Sequence, residues 1–239
     1  MKRFFKSLLV DGVEETSFRV LHRLRMLSCL HTFEMFFYVL DDADDLNLSE
    51  GSARPLKNGI RLVCGEIKEE ALGSLNRAPG LYSVEVLQEH FERGMRFFGA
   101  SHGDLLVGIH GFHPRSAQLT YIGWPLVHLP DNAAYLNCAF TAAAYRNLGV
   151  GSRLRSFVLS TLKKEGFHLA VAAVFIEKKG VMAWHSKQRF KRWGRISYMK
   201  RGAHEFWRKK LTVAGREHKT LFDLRSDVPE MKVLQEAAL

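Results

Sequence analysis

Over residues 4–27 apolar side chains recur at helical spacing, at Phe5, Leu8, Leu9, Val13, Phe18, Leu21 and Leu24, with charges in the gaps. That pattern predicts one or two helices. The compact apolar run "FEMFFYVL" at residues 33–40 predicts a buried strand. Residues 41–58, "DDADDLNLSEGSARPLKN", are polar and turn-rich and read as a linker, so a core domain is expected to begin near Gly59. Beyond it the pattern alternates. "IRLVCGEI" predicts a strand, "KEEALGSL" a helix and "SVEVLQEHFERGM" a second helix. "RFFGAS" and "LLVGIHGF" predict a hairpin turning at residues 102–104. Further strands are expected around "AQLTYIGWPLV" and "AAYLNCAFT". A helix over residues 152–164 should stop at Gly166. "HLAVAAVF" predicts a buried strand, "KKGVMAWHSKQ" a short helix and "FKRWGRISYMKR" a last strand. Alternating helices and strands with antiparallel hairpins at the start predict a mixed α/β (α+β) fold without internal repeats.

Composition narrows the class. With 46% hydrophobic residues in 239, the chain can bury a substantial core. Cys29, Cys64 and Cys138 are few and widely separated and lack metal-ligand spacing, which argues against a disulfide framework or a metal site and for a reducing compartment. The basic start "MKRFFKSLLVDGVEE" is too interrupted for a secretory leader, and no apolar run reaches 18 residues; a cytoplasmic protein without a membrane span is expected. The net charge of +10 is uneven: residues 187–219 hold twelve Lys or Arg and two acids, whereas residues 41–50 hold five acids and no base. The basic region suits an anionic cofactor, an anionic acceptor, nucleic acid or an acidic membrane surface, or is simply a solvated strand face.

One stretch carries chemistry. In "TAAAYRNLGVGSRLRSFVLSTL" two glycines, Gly149 and Gly151, stand at the mouth of an amphipathic helix, after a predicted strand. A helix start presents unbonded backbone N–H groups and the positive end of its dipole. Glycines there let the backbone approach a diphosphate, and Arg146 adds charge. The Rossmann pattern fails because residue 154 is Leu, and a Walker loop fails because no Gly-Lys-Ser/Thr follows.

What remains is Gln/Arg-x-x-Gly-x-Gly/Ala, written here Arg146-Asn147-Leu148-Gly149-Val150-Gly151. It resembles the pyrophosphate signature of the GNAT superfamily of acyl-CoA-dependent N-acyltransferases, and Tyr145 before it is a common family neighbour. Downstream, "LAVAAVFIEKKGVMAWHSKQRFKRWGRISYMKR" is similar to the family's strand, helix, turn and final strand; upstream, "FFGASHGDLLVGIHGF" resembles its central hairpin. The resemblance covers about residues 59–201. It implies a strongly curved mixed sheet flanked by helices, here with an N-terminal helix-strand extension. It also implies acetyl-CoA or another acyl-CoA as co-substrate, with no metal. The diphosphate would rest on the amides of Leu148, Gly149, Val150, Gly151 and Ser152 beside Arg146, and the pantetheine would pair with backbone at Phe140 and Thr141.

Acyl transfer to an amine needs a neutral amine, a stabilised oxyanion and a proton for the departing thiolate. Aligned on the family's acid-bearing helix, His185 falls at the usual tyrosine, Lys178 at the asparagine, Arg189 at the glycine and Phe190 at the phenylalanine. His185 is the expected acid, with Ser186 a weaker donor, or is a partly exposed helix histidine beside Trp184. Glu177 is the expected base, with Asp131 near Tyr135 and Asn137 as a lesser choice, and a route through water needs no single base. His110, His113, Tyr121 and Trp124 fall on the acceptor side implied by the resemblance, where each alone is more often a packing residue than a binding one.

The expected organisation is therefore an extension and acidic linker (1–58), the acyltransferase domain (59–201) and a basic strand and tail (202–239). The expected function is transfer of an acyl group, acetyl first, to a primary amine of a small molecule, amino sugar or polypeptide. The acceptor leans anionic, and a homodimer is left open. A domain that binds CoA without catalysis is the alternative. Nucleic-acid binding through the basic region, with Trp193, Tyr198 and Trp207 for stacking, ranks last.

Overall fold

The computed structural model describes residues 20, 30–41, 56, 59–114, 116–117, 127–201, 204–219 and 232–233. Its strands are β1 (Leu30–Val39), β2 (Val63–Ile67), β3 (Arg96–His102), β4 (Leu105–Pro114), β5 (Ser116–Ala117), β6 (Val127–His128), β7 (Ala133–Thr141), β8 (Leu169–Phe175), β9 (Lys191–Arg201), β10 (His204–Leu211) and β11 (Lys232–Val233). The α-helices are α1 (Val84–Glu92), α2 (Val150–Lys164), α3 (Lys179–Lys187) and α4 (Val213–Glu217). The fold is mixed α/β with mostly antiparallel strands, as the alternation predicts. The chain forms two compact units interleaved in sequence, one of Met1–Tyr38, Ser116–Pro130 and Val171–Leu239, the other of Val39–Arg115 and Asp131–Ala170.

In the unit holding residues 39–115 and 131–170, β2, β3, β4 and β7 lie side by side in that order, each antiparallel to the next. One face gathers Ile67, Leu87, Phe97 and Ile109 under α1. On the other, Phe98 and Phe112 stack at 5.8 Å and Phe98 meets Phe157 of α2 edge-on. Removing a Leu or Phe side chain of this size from water contributes about 1.5–3 kcal/mol. The expected helix at "KEEALGSL" is instead a 3-10 helix, Glu69–Ser74: its N-cap, Lys68, makes no side-chain cap bond, and Gly73 disfavours continuation.

In the other unit the strand order is β11-β10-β9-β1-β8, so β1 lies between the two strands that α3 connects. It runs antiparallel to β9, with Phe33 opposite Ile196 and a bulge between Met35 and Phe36. Phe33, Met35, Phe36 and Phe37 are all buried, which explains the compact apolar run, and Glu34 within it is buried under Arg192 and Arg195. Gly194 (φ 157) is needed where β9 meets β10, because a Cβ there would land on the carbonyl of Lys210. Among the described residues no helix is long and apolar enough to cross a membrane. The expected N-terminal helices lie outside the described residues apart from Val20, and most of the "AQLTYIGWPLV" segment, with Tyr121 and Trp124, does too.

Candidate functional site

The chain leaves β7 through a short 3-10 turn, Ala143–Tyr145, and enters α2 by two left-handed residues, Asn147 (φ 62) and Gly149 (φ 90). Asparagine tolerates that conformation through its short polar side chain. At Gly149 the backbone angle, not crowding, demands glycine: an added Cβ would meet Leu56 at an ordinary 3.5 Å. The helical ladder begins with the Arg153 N–H donating to the Gly149 carbonyl at 2.9 Å, so the amides of Val150, Gly151 and Ser152 precede its first rung. Gly149 offers no side-chain cap, and no acidic residue stands in the first turn to cancel the dipole. Gly151 lies inside that turn as part of the helix.

Arg146 is held rather than splayed. Its Nε–H donates to the Thr141 carbonyl at 3.2 Å, and its guanidinium lies 5.5 Å over the Phe140 ring. Phe140 and Thr141 thus end β7, Arg146, Leu148 and Gly149 lie in the connection, and Val150, Gly151 and Ser152 open α2. Tyr145, next to Arg146, has its hydroxyl 3.2 Å from His102 Nδ1 at the end of β3, a contact the pattern did not signal. Donor amides, an uncancelled helix start and a fixed guanidinium form a cradle suited to a diphosphate.

The strand feeding this turn is bulged at Cys138 (φ 51), whose N–H donates to Asn137 Oδ1 at 2.8 Å. The bulge follows Asn137: ahead of it the register is regular, with Tyr135 opposite His113 and Asn137 opposite Gly111, so these two share a face as the alternation predicts, Tyr135 buried and Asn137 half-buried. Burial raises the Cys138 thiol to about 12 and Cys64 to about 11, so neither is a ready thiolate. Cys29 lies outside the described residues.

The two histidines of β4 expected on the acceptor side, His110 and His113, make structural contacts. His110 Nδ1–H donates to the Gly111 carbonyl at 3.1 Å, leaving Nε2 to accept from Arg155 Nε–H at 2.6 Å. Arg155 is fully enclosed, and desolvation lowers its pKa to about 9. A charged helix residue turned into the core has no signature in the residue pattern. His113 reaches the Arg93 carbonyl and the Pro114 carbonyl, each at 2.7 Å, tying the end of α1 to β4.

In the unit containing α3, His185 is 4% exposed. Its ring stacks on Phe36 at 5.1 Å and meets Trp184 and Phe190 edge-on, while Nδ1–H donates to the Val181 carbonyl at 2.9 Å. Ser186 donates to the Met182 carbonyl and is exposed. Glu177 follows β8, half-buried, with Oε1 shielded from solvent. Asp131 is exposed before β7. Arg189 has φ 62, keeping the left-handed turn for which the family's pattern carries glycine, and its neighbour Phe190 is buried.

The GNAT acetyltransferase family model matches residues 66–190, more than half of the chain. No curated protein matches the chain in sequence. Among solved structures, a candidate GNAT-family acetyltransferase from Novosphingobium aromaticivorans is similar at 12% identity and a TM-score of 0.45, over 70% of this chain and 62% of that one. A GNAT-family acetyltransferase from Staphylococcus aureus is similar at 17% identity and TM-score 0.40, over 59% and 87%. A ribosomal-protein-alanine N-acetyltransferase from Brucella melitensis is similar at 15% identity and TM-score 0.40, over 54% and 84%. The chain therefore spans less than two thirds of the length of the first of these.

Proposed function

Because the chain belongs to the GNAT acetyltransferase family, we propose that it transfers an acyl group, acetyl first, from acyl-CoA to a primary amine. The observation that carries this reading is the turn into α2. A left-handed glycine opens the helix, three amides precede the first rung of its ladder, and Arg146 is pinned beside them. A diphosphate meets there both a dipole and a charged hydrogen-bond donor. In this reading the amides of residues 148–152 hold the diphosphate, and backbone at Phe140 and Thr141 receives the pantetheine.

For proton transfer, His185 is proposed as donor to the departing thiolate and Glu177 as acceptor of the amine proton. The His185 proposal requires Nε2 to be uncovered from Phe36, Trp184 and Phe190. That enclosure, with Lys178 and Arg189 at family asparagine and glycine positions, favours a second reading: a GNAT domain that binds CoA without turning it over. The acceptor, a small molecule, amino sugar or polypeptide, belongs to the first reading only. Thiol release from acetyl-CoA, followed across a panel of primary amines with the full chain, separates the two. Amine-dependent release is expected. Acetyl-CoA binding with no release for any amine would leave the second reading standing.

A further inference from the structure

The loop that leads into α1 is fastened to β4. Leu106 N–H donates to the Asn76 carbonyl at 2.8 Å, and Ala78 N–H donates to the Leu106 carbonyl at 2.9 Å, so that Arg77 forms a parallel bridge with Leu106. Arg77 Nη1–H then reaches forward to the Tyr82 carbonyl at 3.2 Å. The backbone of Tyr82 is thus tied down one residue before Ser83, which caps α1. Its side chain is half-buried and packs against the hydrophobic cluster that includes Cys138.

Two residues of β7 meet that side chain. Tyr82 hydrogen-bonds to the Cys138 thiol, and its ring lies 5.7 Å from that of Phe140, tilted at 60°. Cys138 is buried, forms the bulge with its left-handed backbone, and has Sγ 3.7 Å from His90 Nε2. A non-glycine residue keeps such a conformation only where its surroundings hold it, so the thiol is a fixed partner for the tyrosine. Phe140, near the end of β7, is only half-buried, so its contact with Tyr82 counts in fixing its ring. A tilted aromatic pair contributes about 0.5–1.5 kcal/mol beyond the area it buries. That same Phe140 ring lies under the Arg146 guanidinium, at 5.5 Å. The contacts therefore run without a gap from the thiol through Tyr82 and Phe140 to the arginine beside the opening amides of α2.

We propose that Tyr82 is a positioning residue for the diphosphate cradle: it holds the Phe140 ring, and through that ring it sets the direction of the Arg146 guanidinium. The proposal rests on the acyl-CoA reading of the turn into α2. The Arg146 Nε–H bond to the Thr141 carbonyl fixes the root of the fork, and an aromatic face beneath a planar cation adds a second constraint on its orientation. A guanidinium aimed in advance makes charge-assisted bonds to phosphate oxygens with less ordering to be done on binding. The two parts of the tyrosine have separate tasks. The hydroxyl, at Cys138, anchors the side chain, and the ring, at Phe140, supports the arginine. Tyr82 acts here on affinity for acyl-CoA and takes no part in proton transfer.

The test is a double-mutant cycle read by calorimetric titration of acetyl-CoA into the full chain. Tyr82→Ala is expected to weaken binding about threefold to tenfold. Tyr82→Phe should stay within about twofold of the wild type, because the ring remains. Arg146→Ala should weaken binding, and adding Tyr82→Ala to it should cost little more, since the arginine through which Tyr82 acts is already gone. Leu75→Ala, which trims another side chain packed against the same cluster, should lower the melting temperature and leave affinity unchanged. Circular dichroism checks that each variant is folded, and Tyr82→Leu, apolar but without a ring, replaces Tyr82→Ala if the latter is not. Unchanged affinity in the Tyr82 variant, an equal loss in Leu75→Ala, or the same further loss in the Arg146→Ala background would overturn the proposal while leaving the acyl-CoA reading in place. A folded wild type that binds no acetyl-CoA would overturn that reading and the proposal with it.

Discussion

Arg189 keeps a backbone angle, φ 62, that costs an L-residue roughly 1–2 kcal/mol and glycine nothing. Arg189→Gly is accordingly expected to raise stability by about 1 kcal/mol in denaturant unfolding, provided the arginine's own contacts are worth less than the strain. A decrease would show that they are worth more. The buried thiols give a second expectation at this scale. Cys64 and Cys138 ionise near 11 and 12 when folded, against an ordinary 9, so the unfolded chain loses these protons first as pH rises. Their contribution to stability is complete below about pH 9 and is lost between 9 and the folded values, at up to about 1.4 kcal/mol per pH unit for each group. Cys64→Ala and Cys138→Ala should flatten the alkaline fall in unfolding free energy, and an unchanged slope would contradict the assignment. At residue scale the sequence was readable where backbone geometry restricts residue choice, as at Gly149. It was unreadable where a polar side chain turns inward: nothing in the spacing of α2 shows that Arg155 is enclosed and paired with His110.

Most elements could be read from local periodicity, because a two-residue or 3.6-residue repeat is a property of one segment. α2 was legible for that reason, and "FEMFFYVL" and "HLAVAAVF" were legible as short apolar runs, equally local. The place of "FEMFFYVL" was not legible: β1 pairs with β9 some 160 residues later, as in Thr32 with Ser197, and no local pattern encodes that partnership. The consequence can be measured. Removing residues 1–58, the expected extension and linker together, deletes the strand between β8 and β9 and exposes their edges. Loss of cooperative thermal unfolding and aggregation on gel filtration are expected. A soluble, cooperatively melting truncation would show that β1 is dispensable.

For the whole molecule, the net charge is +10, and some of its arginines have structural places. Arg146 serves the turn into α2, while Arg192 and Arg195 are committed to Glu34. The family pattern was legible because its signature is contiguous, and the matched residues 66–190 run unbroken through it. The interleaving of two units was not, because the chain enters one of them three times. The central claim is that the turn at Gly149 and Gly151 holds the diphosphate of acyl-CoA. Calorimetric titration of acetyl-CoA into the wild-type chain and Gly151→Val tests it most directly, with circular dichroism to show that the variant is folded. The account predicts measurable binding by the wild type and a loss of about a hundredfold or more in the variant, equivalent to about 2.7 kcal/mol. Equal affinity in the two folded proteins would contradict it.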